Sequence, residues 1–458
     1  MTFEELLYRY KSAYYSFPQP LKNFLGEVYG SIPLSIRYGS SFSKYSNILK
    51  KFENASEQFK LDYMYNKTLE TIIFAEKNIP YYKEIFQEYG VSSANFKSLD
   101  DIRLFPSISK KDIKTKIDIM HTDIVEKPVA YYSGGSMSTP TKFYLQSSSR
   151  AKEKAYVNYI FSQIGYTYRD KMLVLRGREL AKPEENIFWD YDRIENYFYL
   201  SYNYMNSDVF PLMHEKALEF NGKFLYGYPS AILSFIKQSK KYGLKKISIE
   251  GIILSSETVY PNELEFMKEY FDVDVLIQYG HTERNVTAYR MNYDKYHFMN
   301  SYGLSRIINN EIVSTTFDNF VMPFINYKTE DSISGEVKYF NSTDIAVEVD
   351  NIEGRTKDFL VTEDNRLVSI TTMCGGQHLP VESMDAIQYV QNELGKVIVL
   401  VEGDHGLELD KLKQGMYKLV QSGIHFKVQQ VDKIERNSRG KRVICKQALN
   451  LDEYRAKI

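Results

Sequence analysis

Several short segments combine residue types that chemistry uses. The first runs Ser133-Gly134-Gly135-Ser136-Met137-Ser138-Thr139-Pro140-Thr141-Lys142. Glycines let backbone N–H groups face a phosphate, hydroxyls add donors, and Lys142 adds a mobile charge. The Gly-Lys-Ser/Thr spacing of a Walker A loop is missing, and a polar surface loop between two aromatic strands has the same composition. The second is Tyr279-Gly280-His281-Thr282-Glu283. Tyr279 offers a plane on which a base stacks, worth about 1–3 kcal/mol by analogy with nucleic-acid stacking. Thr282 offers a donor to phosphate, and Glu283 offers a hard ligand for Mg²⁺. A strand-end turn with a solvated Glu is the plain alternative. Asp331, in NYKTED, is placed to bind two ribose hydroxyls, or is a turn residue. Arg355 and Lys357, in GRTKD, and Lys441, in the loop before RVICK, are cations that a charged turn would also contain.

The elements that position these residues are most legible over 222–284. KFLYGY reads as a short strand ending at Pro229, and Ile232, Leu233, Phe235 and Ile236 then repeat at helical spacing. ISIEGIILSSE follows as a strand rich in β-branched residues, and Pro261 opens a helix with Leu264, Met267, Tyr270 and Phe271 on its apolar face. VDVLIQYG alternates as a strand. Strand, helix, strand, helix, strand implies parallel pairing with right-handed crossovers, and ligands bind beyond the carboxyl ends of such strands. Ser255-Ser256-Glu257 and the Tyr279–Glu283 cluster lie at those ends. Residues 1–80 read as helical, and Ser109 reads as a helix N-cap. After Asn351 a turn-rich hairpin, the strand VIVLVEG, a helix over 407–422 and the strand FKVQQV make a small α+β domain. The best domain cut falls near Gly354, giving units 1–354 and 355–458.

Composition narrows the function classes. The chain has 458 residues, 43% hydrophobic and 26% charged, which is globular and ordered. Its 58 basic and 59 acidic side chains nearly cancel, so no global field gathers nucleic acid, and no nucleic-acid motif is present. Two cysteines suit a reducing cytosol, and no acid or second Cys completes a nucleophile around Cys374. The apolar runs are one strand long, far short of the roughly 20 residues that span a bilayer. A cytoplasmic protein without a transmembrane segment is expected. The 39 Tyr and 27 Phe fill cores and stack on bases equally well.

Read in order, SGGSMSTPTK, SSE, YGHTE, YKTED, GRTKD and the late GK resemble the adenylate-forming (ANL) superfamily. More narrowly, SIPLSIRYGSSF, IPYYKEIF and LYGYPSAIL are similar to the phenylacetate–CoA ligase branch and its CapK-like capsular polysaccharide members. The resemblance covers about residues 30–445. It implies an α/β fold: a large N-terminal adenylate-forming domain with parallel-sheet subdomains, plus a small mobile α+β C-terminal domain carrying a catalytic lysine.

By that resemblance, Ser133, Gly134, Gly135, Ser136, Thr139 and Lys142 would cover the β- and γ-phosphates of ATP. Met137 stands where a hydroxyl is usual and Ser138 where a glycine is usual, which makes the loop stiffer and one donor poorer. Tyr279 and Gly280 would border adenine, Thr282 would meet the α-phosphate, and Glu283 would bind Mg²⁺. Asp331 and Arg355 would hold the ribose, while Gly251, Ser255, Ser256 and Glu257 would wall the adenine. Lys441 would bridge the substrate carboxylate and the α-phosphate, and Lys357 would be the hinge. Tyr226, Tyr228 and Pro229 would line the acyl pocket, although ordinary strand-end core explains them equally. The histidines, His281 included, suggest no metal site.

The implied function is an ATP- and Mg²⁺-dependent ligase that converts a carboxylate to an acyl-adenylate. CapK-like relatives suggest transfer to an amine in capsular polysaccharide or related surface-glycan synthesis, in association with glycan-assembly enzymes. A CoA thioester is the alternative, and a catalytically inactive nucleotide-binding relative is the alternative of another class.

Overall fold

A computed structural model describes residues 17–132, 141–176, 181–201, 204–205, 207–340, 343–355, 359–374, 383–403, 407–420, 422–436 and 443–455. From Gln19 to Glu88 the N-terminal part is largely helical, as its sequence implied; residues 1–16 of that expectation lie outside the described residues. Helix Glu57–Asn78 starts at the Ser56 cap, whose hydroxyl accepts from the Phe59 N–H. It buries Met64, Thr68, Thr71, Ile72 and Ala75, one face at spacings of three and four. Pro80 opens the next helix, Pro80–Glu88. Ser109 caps Lys110–Lys116 in a reciprocal box with Asp112. Strands β1 (Val129–Tyr132) and β2 (Lys142–Leu145) then pair antiparallel, and the glycine-rich segment 133–140 that connects them lies outside the described residues.

The centre is a mixed sheet of twelve strands among the described residues. In chain order these are β3 (Met172–Leu175), β4 (Trp189–Asp192), β5 (Tyr197–Leu200), β6 (Phe224–Gly227), β7 (Gly251–Ser255), β8 (Asp274–Gly280), β9 (Thr287–Met291), β10 (Tyr296–Phe298), β11 (Gly303–Ile308), β12 (Glu311–Thr316), β13 (Tyr327–Tyr339) and β14 (Ala346–Arg355). Their spatial order is β11-β12-β13-β14-β10-β9-β8-β7-β6-β3-β5-β4. Strands β5, β3, β6, β7 and β8 run parallel. From β8 to β9 the pairing turns antiparallel and stays so to β11.

The parallel strands are apolar on both faces because both are covered. Ile252, Leu254, Val275 and Ile277 pack with Ala231, Phe235, Leu264 and Met267 of helices Pro229–Lys241 and Pro261–Phe271. Ile253 and Leu276 point the other way, onto Leu49, Tyr156 and Ile160 of helices Gly39–Glu53 and Ser149–Ser162. The β-strand period of two thus divides one run of residues between two cores. The strand expected over ISIEGIILSSE begins only at Gly251.

The chain after β14 forms the hairpin β15 (Phe359–Val361) and β16 (Leu367–Ser369), and then a four-stranded sheet. That sheet contains β17 (Met384–Glu393), β18 (Lys396–Gly403), β19 (His425–Gln430) and β20 (Cys445–Gln447), in the order β19-β18-β17-β20. Helix Leu409–Val420 lays Leu412, Met416 and Val420 against Val399, Val401 and Phe426. Among the described residues, no helix is long and apolar enough to cross a membrane.

Candidate functional site

Several of the residues singled out in the sequence, Tyr279, Glu283, Asp331 and Ser255 to Glu257 among them, lie where the carboxyl ends of the parallel strands meet the antiparallel part of the sheet. Tyr279 is the penultimate residue of β8, and its hydroxyl donates to Asp331 Oδ2 at 2.7 Å. The same hydroxyl lies 2.9 Å from His281 Nε2, and His281 Nε2 is 3.7 Å from Asp331 Oδ2. Burial, reinforced by the Asp331 charge, holds the Tyr279 phenol well above its ordinary range, so it stays a donor.

Asp331 was expected after a strand. It lies instead inside β13, where the register sets it directly opposite Arg355, the last residue of β14. Two candidate ribose ligands thereby share one cross-strand position. The start of β13 is fixed by Asn326. Its side-chain amide donates to the Ile102 and Phe105 carbonyls, and its Oδ1 accepts from Arg306 at 2.9 Å.

Glu283 is buried in the turn after β8. Its Oε1 accepts from the Tyr327 hydroxyl at 3.3 Å, and among the described residues nothing bonds Oε2. Burial and the Glu283 charge keep the Tyr327 phenol protonated. Thr282 is only partly buried. Gly303 supports the turn from beneath: a Cβ there would stand 2.1 Å from the Asn285 carbonyl oxygen, so only glycine permits the approach. Gly280 carries no such constraint, since a Cβ there would meet nothing closer than 3.5 Å.

On the other side, Ser255 ends β7 in register with Gln278 of β8. Its hydroxyl is 3.4 Å from that of Tyr226 on β6. Glu257 accepts from the Ser230 N–H and hydroxyl at 3.2 Å each, and so caps helix Pro229–Lys241, which Pro229 opens and Tyr228 precedes. Gly251, grouped with these residues in the sequence, opens β7, about 13 Å from Ser255 at strand rise. A Cβ there would press on Ile164 at 2.7 Å, so packing accounts for this glycine.

Lys142 opens β2, fully exposed, with its ammonium 5.0 Å from the Tyr144 ring. Ser133, Gly134, Gly135, Ser136, Met137, Ser138, Thr139, Lys357 and Lys441 lie outside the described residues, as does the Arg355 side chain.

One residue escaped the sequence reading. Arg176, just past β3, reaches across to Tyr226 and Ser256. A single Arg after a strand has no spacing signal, and its partners come from two other strands. The C-terminal part of the chain touches the helix Pro229–Lys241: Arg436, between β19 and β20, donates to Ser230 Oγ at its start at 3.3 Å, and Lys237, two turns on, donates to the Met384 carbonyl of β17.

Among the described residues, no group of three or more His, Cys, Asp or Glu is placed to hold a metal ion. Mg²⁺ is ordinarily held by one or two carboxylates together with substrate phosphates. The buried Glu283, with Oε2 uncommitted, fits that pattern.

No model of a known protein family matches the chain. Protein CapK of Staphylococcus aureus is 22% identical over 439 residues, 93% of this chain and 96% of that protein. Crystal structures of 2-hydroxyisobutyryl-CoA ligase share the fold at 13% identity. In its postadenylation state, with 2-HIB-AMP, that ligase superposes at a TM-score of 0.64, over 86% of this chain and 90% of its own. With 2-HIB-AMP and CoA in the thioesterification state the score is 0.53, over 87% and 92%.

Proposed function

We infer, from the similarity to protein CapK along nearly the whole chain and from the fold shared with 2-hydroxyisobutyryl-CoA ligase, that the chain is a CapK homologue of the adenylate-forming kind. From this premise we propose that the protein is an ATP-dependent, AMP-forming ligase that activates a carboxylic acid. The observation that carries the reading is that Tyr279 bonds Asp331, in register with Arg355, while Glu283 bonds Tyr327 on the same strand as Asp331, and that Tyr131 of β1 lies 5.1 Å from the guanidinium of the adjacent Arg284.

In this reading a carboxylate oxygen of the acid attacks the α-phosphorus, the bond to the β-phosphate oxygen breaks, and acyl-adenylate and pyrophosphate form. The carboxylate oxygen that would leave badly now leaves as AMP. Tyr279 stacks on adenine, while Asp331 and Arg355 hold the ribose hydroxyls. The 133–142 segment covers the distal phosphates, and Thr282 meets the α-phosphate. Mg²⁺, when bound, screens the phosphate charge and orients those oxygens, and Glu283 would hold it. Lys441 neutralises charge between the acid and the α-phosphate. The chain divides near Gly354, and Lys357 lets the part that follows turn between half-reactions. CapK homology favours an amine acceptor, which attacks the acyl carbon, expels AMP and loses a proton. It also favours a place in surface-glycan synthesis. A CoA acceptor is the second reading, favoured by the CoA-bound structure of the similar ligase.

ATP–pyrophosphate exchange with pooled aryl, hydroxy, amino and uronic acids tests this, with Lys441→Ala beside the wild type. Exchange in one pool, lost in the variant while ATP binding persists, supports the reading. Mg·ATP binding without exchange in any pool moves it to an inactive nucleotide-binding relative, for which Met137 and Ser138 are the motive.

A further inference from the structure

The carboxyl edge of the parallel strands carries a charge that the proposed reaction leaves unused. Arg176 follows the last residue of β3 and crosses toward β6 and β7. One terminal nitrogen donates to the Tyr226 hydroxyl, and the other donates to Ser256 Oγ at 3.1 Å. The guanidinium carbon lies 4.8 Å from the Tyr226 ring centroid and 5.4 Å from that of Tyr228. Its neighbours are rings and hydroxyls. Among the described residues no carboxylate lies within 4.0 Å of it.

Other arginines of this protein are paired differently. Arg306 meets Asp344 at 2.5 Å, Arg169 meets Glu27 at 2.6 Å, and Arg366 meets Asp364 at 2.7 Å. A partly desolvated cation without a counter-charge is costly unless something anionic completes it. The hydroxyls of Tyr226, Ser256 and Tyr228 take part of its five N–H donors, which leaves donors to spare. Ser256, which accepts from Arg176, is held at φ 71°, a conformation that non-glycine residues adopt rarely. Such strain is retained where a side chain must point one way.

The position is as informative as the chemistry. Tyr226, Tyr228 and Pro229 were the candidates for the acyl pocket, and Arg176 lies against two of them. The Arg176 backbone is three inter-strand steps from β8, about 14 Å at ordinary spacing, but its guanidinium reaches back to Ser256, just past β7. The charge therefore stands between the acyl-pocket candidates and the Ser255–Glu257 segment, on the side where the body of the acid would lie.

We propose that Arg176, with Tyr226 and Ser256, binds a second anionic oxygen group on the acid that is activated, so that the substrate is a diacid or a phosphorylated acid. The proposal rests on the adenylating reading for its reaction; its site borders the adenine wall at Ser256 and includes none of Tyr279, Thr282, Glu283, Asp331 and Arg355. A guanidinium fork takes a carboxylate or phosphate in two parallel hydrogen bonds, and a purely apolar acid would leave it unpaired.

The test uses the full chain with matched acids. Butyrate is set against succinate, hexanoate against adipate, and 3-hydroxybutyrate against its phosphate ester. Exchange and ligand-induced thermal shift are both read, for wild type, Arg176→Gln and Arg176→Lys. The expected result is a shift with the diacid or phosphoester and none with the neutral partner. Arg176→Gln should lose the shift and raise KM for the acid at least tenfold, with KM for ATP unchanged and Arg176→Lys intermediate. Preference between diacid and phosphoester identifies the group. Exchange with neutral acids that Arg176→Gln leaves intact overturns the subsite but keeps the ligase. Absence of exchange with every acid removes the ligase reading, and the thermal shift then decides alone: a dianion shift lost in Arg176→Gln upholds the subsite, whereas an equal shift or none overturns it. An unchanged melting temperature of each unliganded variant excludes misfolding.

Discussion

Tyr279 and Asp331 are four strands apart in the sheet and 2.7 Å apart in space. In a flat sheet β8 and β13 would be separated by about 19 Å. The sheet therefore curls until the end of β8 faces the middle of β13, and Tyr327–Glu283 closes the same gap a turn further on. A site made this way depends on curvature, because no single loop contains it.

The first prediction follows from that contact. Asp331→Asn keeps an acceptor for the Tyr279 hydroxyl but removes the negative charge facing the ribose. ATP affinity should fall about tenfold, near 1.4 kcal/mol, the size of one charge-assisted hydrogen bond. Tyr279→Phe should cost less than Tyr279→Ala, since only the latter removes the stacking plane. Calorimetric titration with ATP reads both. Unchanged affinity in Asp331→Asn would take Asp331 off the ribose.

Glu283→Gln is nearly isosteric and can still accept from Tyr327. The folded state should be little altered, with a melting temperature within a few degrees of wild type. The Mg²⁺ concentration for half-maximal exchange should rise at least tenfold, because a neutral amide is a poor ligand for a hard cation. A Mg²⁺ titration that overlays the wild type removes Glu283 from the metal.

The parallel half of this fold was legible in the sequence and the antiparallel half was not. Ile252 to Leu254 and Val275 to Ile277 are buried on both faces; the first segment read as a run of β-branched residues and the second as an alternation, on either side of the helix that Pro261 opens. Strand β12, by contrast, buries Ser314, Thr315 and Thr316, and β10 is three residues long. The Thr315 and Thr316 hydroxyls accept from the Asn326 and Phe324 N–H groups, and the Thr316 carbonyl accepts from Thr71, far away in sequence. Local pattern cannot report such pairing. The site shows the same division. YGHTE and NYKTED announce themselves, whereas Arg176 has meaning only beside Tyr226 and Ser256.

Acid should expose a further dependence. Burial alone would raise the Asp344 carboxyl, but the bonds and charges of Arg306 and Arg103 outweigh it and hold the pKa below its ordinary value. A carboxyl lowered in the folded state contributes stability that is present above the unfolded value and is lost as pH falls through the folded one. Asp344→Asn should therefore cost about 1–2 kcal/mol near neutrality, discounted because Asp344 is partly open to solvent. The difference from wild type should shrink below about pH 4, where the unfolded carboxyl protonates. Urea unfolding at stepped pH measures it. Because Arg306 also holds Asn326, at the start of β13, the variant should raise the Kd for ATP as well. A pH-independent difference would mean that shape, not charge, is what Asp344 supplies.

The last prediction concerns how the C-terminal sheet is held over the site. Lys237, on helix Pro229–Lys241, donates to the Met384 carbonyl and lies 3.7 Å from Asp385, at the start of β17. Arg436 reaches Ser230 on the same helix, and Ser230 is in turn bonded by Glu257. The Arg436 contact lies at the start of this helix, at the carboxyl edge, and adjoins the proposed adenine wall through Ser230 and Glu257; the Lys237 contact lies two turns further along the same helix. Neither contact includes Tyr279, Thr282, Glu283 or Asp331. The double variant Lys237→Met, Arg436→Gln should therefore bind Mg·ATP within about twofold of wild type, while exchange falls about five- to tenfold, the cost of one or two partly exposed contacts. Transfer from supplied acyl-adenylate should be spared if the same contacts must open for the second half-reaction. Equal loss in both half-reactions would mean that the two contacts stabilise the fold without selecting an orientation.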